Sequence, residues 1–216
     1  MKTLFSSLIL SLFWINANAQ KIYSTPFYVG LDVLKGLPSY VFPEKYFIRK
    51  TAIIEPYIRF NRQKPRRSIL FSAGFANGSS KVDTSLQIRS HQFQGVYFKM
   101  AFEATNQRIP LSVGVGPMLS IAGFKGKYQF KGPTFGDYTN NFHIKEIMAF
   151  GAEGYLAYDL SLNKKLSLRF LIRNTLAIRS GDTFYPDFFP GIGYTKDMPK
   201  YMVSGGFSTQ LYFRCK

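Results

Sequence analysis

Hydrophobic and polar residues alternate along most of the chain, and the alternation is cleanest between residues 94 and 104. One face of that segment carries Val96, Phe98, Met100, Phe102 and Ala104, and the other carries Gly95, Tyr97, Lys99, Ala101 and Glu103. A period of two over this length indicates a β-strand with one apolar face. Residues 147–160 repeat the pattern, again with an apolar face opposite a face of small, aromatic and charged residues.

The same alternation predicts eight strands, at residues 27–34, 51–60, 67–76, 92–104, 109–123, 144–159, 165–179 and 201–213. Short polar turns at 61–66, 105–108 and 160–164 alternate with long loops at 35–50, 77–91, 124–143 and 180–200. An even number of strands of about ten residues, with tight turns alternating with long loops, is typical of an outer-membrane barrel. We therefore predict an all-β fold, an eight-stranded antiparallel up-and-down transmembrane β-barrel with short periplasmic turns and long extracellular loops.

A soluble periplasmic, lipocalin-like barrel that binds an apolar ligand is the alternative, because alternating patterns serve both architectures. In a soluble barrel the apolar faces point inward, whereas in a membrane barrel they meet lipid. Strand length favours the membrane barrel, since strands of soluble proteins average about five or six residues. Pro56 and Pro117 fall inside predicted strands, where each removes a hydrogen-bond donor, so they predict a break or a bulge.

The first nineteen residues have the pattern of a cleaved signal peptide. Lys2 precedes an apolar run from residue 4 to residue 15, and Ala17, Asn18 and Ala19 precede Gln20. Small residues at these positions predict cleavage between Ala19 and Gln20. The run is too short for a transmembrane helix, which needs about 20 residues. We expect residues 20–216 to form one barrel domain in the outer membrane of a Gram-negative cell.

The chain is strongly basic, with 28 Lys and Arg against 12 Asp and Glu, a net charge of +16. Such a charge favours anionic partners. Nucleic acid is excluded as a partner because the chain is exported and shows no recognition helix or RNA-binding motif. We expect the basic loop residues to contact outer-membrane lipid, in particular lipopolysaccharide phosphates, or a surface or envelope protein, with the barrel itself monomeric. These residues are Lys45, Arg49, Lys50, Lys81, Arg89, Lys125, Lys127, Lys131, Lys196 and Lys200.

Three short segments carry a likeness to a known family. They are residues 28–32 (YVGLD), residues 95–99 (GVYFK) and residues 190–194 (PGIGY). With them, the chain resembles the small outer-membrane β-barrel proteins of Bacteroidota, and within these an uncharacterised domain family of about this length. The resemblance implies a barrel fold and an outer-membrane location, and it implies no catalytic residues.

If the apolar faces meet lipid, nine charged residues point into the lumen: Asp32, Glu55, Arg59, Lys99, Glu103, Glu153, Asp159, Arg169 and Arg173. The interior of an eight-stranded barrel is just wide enough for side chains to fill. Because an unpaired buried charge is costly, these residues are predicted to form a structural network of ion pairs. Counting back from the 160–164 turn places Glu153 diagonal to Arg169 and Arg173, and Asp159 opposite Lys165. A narrow conduit with some charges left unpaired around water is the alternative.

An enzymatic alternative is a lipid-modifying barrel, an acyltransferase or deacylase with Ser, His and a carboxylate near the outer rim. His91 and His143 are the two histidines of the chain, and Ser80, Ser90 or Thr139 are candidate neighbours. Nucleophilic catalysis needs the base within hydrogen-bond reach of the nucleophile. No local spacing in the sequence provides this, so we predict a protein that is not an enzyme.

No cofactor or metal is predicted. Gly114 and Gly116 lie inside a strand rather than at a strand-to-helix turn, so they do not form a phosphate loop. No cluster of His, Cys or acidic residues has the spacing of a metal site. The last long loop is unusually aromatic, which predicts either a partner or ligand contact or part of an interfacial aromatic girdle. Its aromatic residues are Phe184, Tyr185, Phe188, Phe189 and Tyr194.

Overall fold

A computed structural model describes residues 27–35, 48–61, 67–83, 87–106, 108–132, 136–181, 186–195 and 200–215. Their strands are β1 (Phe27–Asp32), β2 (Ile48–Ile54), β3 (Pro56–Asn61), β4 (Arg67–Asp83), β5 (Gln87–Thr105), β6 (Leu111–Phe130), β7 (Tyr138–Ser161), β8 (Leu166–Arg179), β9 (Phe188–Phe189), β10 (Gly193–Tyr194) and β11 (Tyr201–Cys215). The predicted signal peptide lies outside these ranges. Within them, no helix is long and apolar enough to cross a membrane.

The long strands close into one antiparallel ring. From β4 the order runs through β5, β6, β7, β8, β11 and β1 to β3 and β2, and both of these last strands pair with β4. β2 and β3 form one wall strand that is interrupted at Glu55, so the ring has eight wall strands. The predicted eight-stranded up-and-down barrel is therefore confirmed.

The apolar faces of the strands point outward. Phe98, Phe150 and Phe207 are 54%, 64% and 73% exposed, whereas the neighbouring Tyr97 and Lys99 are buried in the interior. A band of exposed aliphatic and aromatic side chains around a polar interior is the arrangement that a bilayer requires. The soluble-barrel alternative is thus wrong, because it would place these phenylalanines inside.

Four wall strands are longer than the alternation predicted. β4 and β5 continue to Asp83 and Gln87, and β6 and β7 continue to Phe130 and Tyr138. Most of the predicted loops 77–91 and 124–143 are therefore β-hairpins. Beyond the apolar band the pattern changes, because polar side chains such as Lys125 and Lys127 face outward and Phe124 faces inward, while the backbone ladder continues.

Both prolines mark irregularities in the wall, as predicted. Pro56 directly follows the break at Glu55 between β2 and β3. Pro117 lies where the β5–β6 ladder is interrupted, between the pairs Lys99–Met118 and Phe102–Val115. The register is the same on both sides of this gap, so the interruption removes hydrogen bonds without inserting a residue. A proline cannot donate to the ladder, which accounts for its position.

Candidate functional site

All nine charged residues predicted for the lumen have side chains on the inner face of the barrel. Five of them are almost completely buried, namely Asp32, Glu55, Lys99, Glu103 and Arg169. Lys35 joins them from the segment that follows β1, with a side chain only 6% exposed. These ten residues form two clusters of ion pairs, one near the periplasmic turns and one at mid-height.

The periplasmic cluster is centred on Arg169. Its guanidinium is bound by Glu103 and lies 3.3 Å from a carboxylate oxygen of Asp159. Arg59 contacts the same two acids, at 3.0 Å from Glu103 and 3.6 Å from Asp159. The rings of Tyr155 and Tyr212 lie 5.7 and 5.9 Å from the Arg169 guanidinium. Cation–π contacts of this kind add to the ion pairs in holding the buried cation.

The central cluster surrounds Glu55, the residue at the strand break. Its carboxylate binds the ammonium group of Lys35 and accepts a 2.6 Å hydrogen bond from the Tyr97 hydroxyl. The ammonium group of Lys99 bridges to Glu153, which also lies 3.6 Å from Arg173. The remaining acid, Asp32, lies 3.5 Å from the Lys35 ammonium and accepts a 3.2 Å hydrogen bond from Tyr57.

The network is electrically balanced, with five acidic and five basic side chains in its two clusters. Sequence reasoning missed Lys35 because it follows the first predicted strand. The nine predicted residues contain five acids and four bases, and this imbalance was the signal that one more interior cation was needed.

One predicted pairing is wrong. Asp159 faces Arg169 across β7 and β8, and not Lys165. The turn lies at residues 162–165, further along the chain than the predicted 160–164, and the Asn163 side chain accepts hydrogen bonds there from the backbone amides of Lys165 and Leu166. An Asx turn at this position moves the partner of Asp159 from Lys165 to Arg169. Of the two diagonal contacts predicted for Glu153, the ion pair with Arg173 is present.

The extracellular half of the interior is filled by residues 186–195, which we call the inserted segment. It carries the small β9–β10 ladder, and Phe188, Phe189 and Ile192 are buried. The Phe188 ring lies 4.9 Å from that of Phe93, and the Phe189 ring 5.6 Å from that of Phe124. The expectation that Phe188 and Phe189 form a partner contact or a girdle is therefore wrong, since they pack inside the barrel. Phe184 and Tyr185 lie outside the described residues.

Polar contacts hold the inserted segment to the wall. Asp187 binds the Arg89 guanidinium and accepts a 3.5 Å hydrogen bond from Ser80. Ser120 donates a 2.7 Å hydrogen bond to the carbonyl of Pro190. Gly191 has φ +76° and lies against the Tyr97 ring, where a Cβ would approach within 2.5 Å. Arg89 is thus an interior ligand of Asp187, which corrects its assignment to the basic loops.

The two histidines lie on opposite sides of the wall. His91 is buried beside Phe124 and Phe142, and Ser80 is its partner across β4 and β5. His143 is exposed on the outside, opposite Lys125. Ser90 and Thr139 lie on the outer face with His143, in different cross-strand rows. The structure therefore brings Ser80 close to His91, but on the inner face, away from lipid.

Exposed lysines cluster on the outer face of β4 to β7, above the apolar band. These lysines belong to two neighbouring cross-strand rows. One row contains Ser79, Gln92, Lys125 and His143, and the next contains Lys81, Ser90, Lys127 and Asn141. Lys145 and Glu146 lie beside them at a bulge in β7, and both are exposed. We call Lys81, Lys125, Lys127 and Lys145 the basic surface.

The other predicted basic residues are more scattered. Lys131 and Lys200 are exposed at the same end of the barrel, and Arg49 and Lys50 lie in β2. Lys45 and Lys196 lie outside the described residues.

No family model and no curated protein matches the chain. Among solved structures it is similar to Acinetobacter baumannii CarO2, at 8% identity and a TM-score of 0.43, over 88% of this chain and 98% of that chain. It is also similar to Acinetobacter baumannii CarO, at 9% identity and a TM-score of 0.40, over 87% and 96% of the two chains. The barrel assignment rests on the strand pairing of this chain itself, and the resemblance to the Bacteroidota family stays a prediction.

Proposed function

We propose that the protein is a non-enzymatic outer-membrane barrel with a closed interior, which acts at the cell surface and contacts lipopolysaccharide phosphates through its basic surface. The observation that carries the proposal is the filled interior. Two balanced clusters of ion pairs occupy its periplasmic and central parts, and the inserted segment occupies its extracellular part.

A conduit for ions would need charged groups that face water inside the barrel. In the described part of the chain, each carboxylate of the two clusters is instead bound by a Lys or Arg side chain. Such pairs are strongly stabilised by mutual contact once they are desolvated, so opening the interior would separate charges at a large cost. This arrangement supports a structural role for the network.

Closure is tested by conductance. We expect the purified protein, reconstituted in planar bilayers, to show no stepwise current in symmetric salt. The same preparation must migrate differently on a gel before and after boiling, which shows that the barrel is folded, and reconstituted vesicles must retain the protein after a carbonate wash, which shows that it is inserted. Reproducible ion-selective steps from the folded protein would contradict a closed interior and support the conduit instead.

The lipid contact is supported by the positive charge of the basic surface and by its position along the barrel axis. The basic surface lies directly above the outward apolar row formed by Phe75, Val96, Ile121 and Met148. The head groups of the outer leaflet meet the protein at the level where the apolar band ends. Export through the predicted signal peptide is consistent with this location.

Neutralising the basic surface tests the contact. The variant Lys125→Gln/Lys127→Gln/Lys145→Gln should bind purified lipopolysaccharide about tenfold more weakly, since each exposed ion pair contributes roughly 0.2–1 kcal/mol. Binding of the unmodified protein should weaken with added salt, and that of the variant should respond less. The matched control is Lys164→Gln/Lys165→Gln, which changes exposed lysines at the periplasmic turn. Equal affinities for all three proteins would contradict the proposed contact.

A further inference from the structure

An apolar groove crosses the outer wall of the barrel below the basic surface. It has a volume of about 460 Å³ and extends from β3 to β7. Its sides are formed by Phe71, Phe98 and Phe150, and its floor includes Ala73 and Pro117. The groove therefore lies on the face that meets lipid chains.

The strand register accounts for the shape of the groove. One cross-strand row contains Ala73, Phe98, Leu119 and Phe150, and the next row toward the periplasm contains Phe71, Met100, Pro117 and Ala152. Ala73 and Pro117 are thus small side chains among larger ones, Ala73 beside Phe71 and Phe98 and Pro117 beside Met100 and Leu119. The hydrogen-bond gap at Pro117 falls within this second row. The depression therefore coincides with small side chains and with an irregularity of the backbone ladder.

The groove and the basic surface lie on the same strands, separated by the outward rows of Val96 and Gln94. On β5 the outward side chains proceed from Phe98 through Val96 and Gln94 to Gln92, which lies beside Lys125. Six residues of strand span about 20 Å at roughly 3.3 Å per residue. This length is comparable to an extended acyl chain. An amphipathic molecule with its phosphate at Lys125 and Lys127 would bring the far part of a chain into the groove.

We propose that the groove and the basic surface together form a binding site for one lipopolysaccharide molecule, with an acyl chain in the groove and phosphates on Lys125, Lys127 and Lys145. This inference rests on the proposed function and adds a defined site to it. Several lysines, with Gln92 and Ser90 between them, suit a glycolipid that carries more than one phosphate and many hydroxyl groups. A phospholipid with one phosphate would leave most of these groups without a ligand. Glu146 adds one exposed carboxylate beside Lys145.

The test fills the groove without removing any wall contact. In Ala73→Phe the new ring points outward into the groove, because Ala73 is exposed on the outer face. The control Val203→Phe places an added ring on β11, at a position that is 51% exposed and outside the groove. Both variants must show heat-dependent gel mobility, which confirms that they fold.

Binding is measured in phosphatidylcholine nanodiscs with three probes: intact lipopolysaccharide, lipopolysaccharide stripped of its acyl chains, and phosphatidylglycerol. Ala73→Phe should weaken binding of the intact molecule about tenfold, or about 1.4 kcal/mol. It should leave binding of the deacylated molecule unchanged, and Val203→Phe should leave both unchanged.

Three other results would each decide between the groove site, a general phospholipid site and the proposed function. If Ala73→Phe binds like the unmodified protein while the triple lysine variant binds weakly, the groove site is wrong and the proposed function stands. If phosphatidylglycerol binds as tightly as lipopolysaccharide and loses the same affinity in Ala73→Phe, the site is a general phospholipid site and the inference is overturned. If neither Ala73→Phe nor the lysine variant changes binding, both the inference and the lipid contact fail.

Discussion

The periplasmic half of the barrel interior is filled by charged side chains from the wall strands, whereas the extracellular half is filled by aromatic side chains from an inserted segment. In the first half, Arg169 and Glu103 are both fully or almost fully buried and bound to each other. In the second, Phe188 and Phe189 pack on Phe93 and Phe124. The wall strands themselves therefore fill the periplasmic half of the ring, whereas a segment that enters the ring fills the extracellular half.

The difference has a consequence for stability. A charged side chain on a wall strand cannot leave the interior unless the ring itself opens, so the lower half should unfold only with the whole barrel. The inserted segment forms no strand ladder with the wall, since β9 and β10 pair only with each other in the described residues, and side-chain packing and polar contacts hold it in the ring. Segments of this kind can open locally at a lower free energy than global unfolding.

Breaking an ion pair of the lower half should have the largest effect. Arg169→Met leaves the buried Glu103 with Arg59 as its remaining cationic partner, and loss of one partner of a buried pair costs about 3–5 kcal/mol. We expect this loss in the free energy of unfolding, measured by circular dichroism in detergent with increasing urea. The double variant Arg169→Met/Glu103→Leu should recover much of it, because Arg59 keeps Asp159. Equal losses in the single and double variants would contradict the role of uncompensated charge.

Removing a ring of the inserted segment should have a smaller and more local effect. Phe189→Ala should destabilise the seated segment by about 3 kcal/mol, because a buried ring is replaced by a cavity. We expect faster proteolysis within residues 186–195 while the heat-dependent gel mobility of the barrel persists. The control is Phe207→Ala, which removes an outward ring that is 73% exposed. If Phe189→Ala unfolds the whole barrel, the upper half is not a separate unit.

The smallest effect is expected at the polar contact of the inserted segment. Asp187→Asn keeps the size of the side chain but removes its charge, so the hydrogen bond from Arg89 loses about 1–2 kcal/mol. Hydrogen exchange of the amides in β9 and β10 should accelerate, and exchange in β8 should not change. Asp137→Asn provides the control, because Asp137 is exposed and bonded to Gln129 in the β6–β7 hairpin. An equal acceleration of β9 and β10 by both variants would show that the Asp187 contact does not hold the segment.

Much of the wall could be predicted from the sequence. Each of the eight predicted strands has a counterpart in the ring, and the alternation placed Lys99 and Glu103 on one face and Phe98 and Phe102 on the other. The prediction of the faces succeeded because successive side chains of a strand point to opposite sides. Once one residue is assigned to a face, the faces of all remaining residues of that strand follow. The choice of lipid for the apolar side followed mainly from strand length, together with the alternation of short turns and long loops.

The extent of the strands and their register could not be predicted as well. Above the apolar band of β6, Lys125 and Lys127 point outward and Phe124 points inward, the reverse of the band below, although the ladder continues to Phe130 and Tyr138. The pairing of Asp159 with Arg169 depends on the conformation of the Asn163 turn. Both features depend on hydrogen bonds. Hydrogen bonding of the backbone restricts the residue types of a strand less than burial does, so it is harder to predict from the sequence.

The sequence by itself determined a barrel with apolar outer faces and a charged interior, because the alternation depends only on the order of neighbouring residues within each strand. Only the tertiary structure decided that Lys35 completes the central cluster, that Arg89 turns inward to Asp187, and that Phe188 and Phe189 enter the barrel. These residues lie outside the strands that the alternation predicts. Their burial depends on partners far away in the chain, such as Glu55, which lies 20 residues from Lys35, and Arg89, which lies 98 residues from Asp187. The first contact forms when β1 pairs with the wall strand that contains Glu55, and the second forms when the inserted segment enters the closed ring.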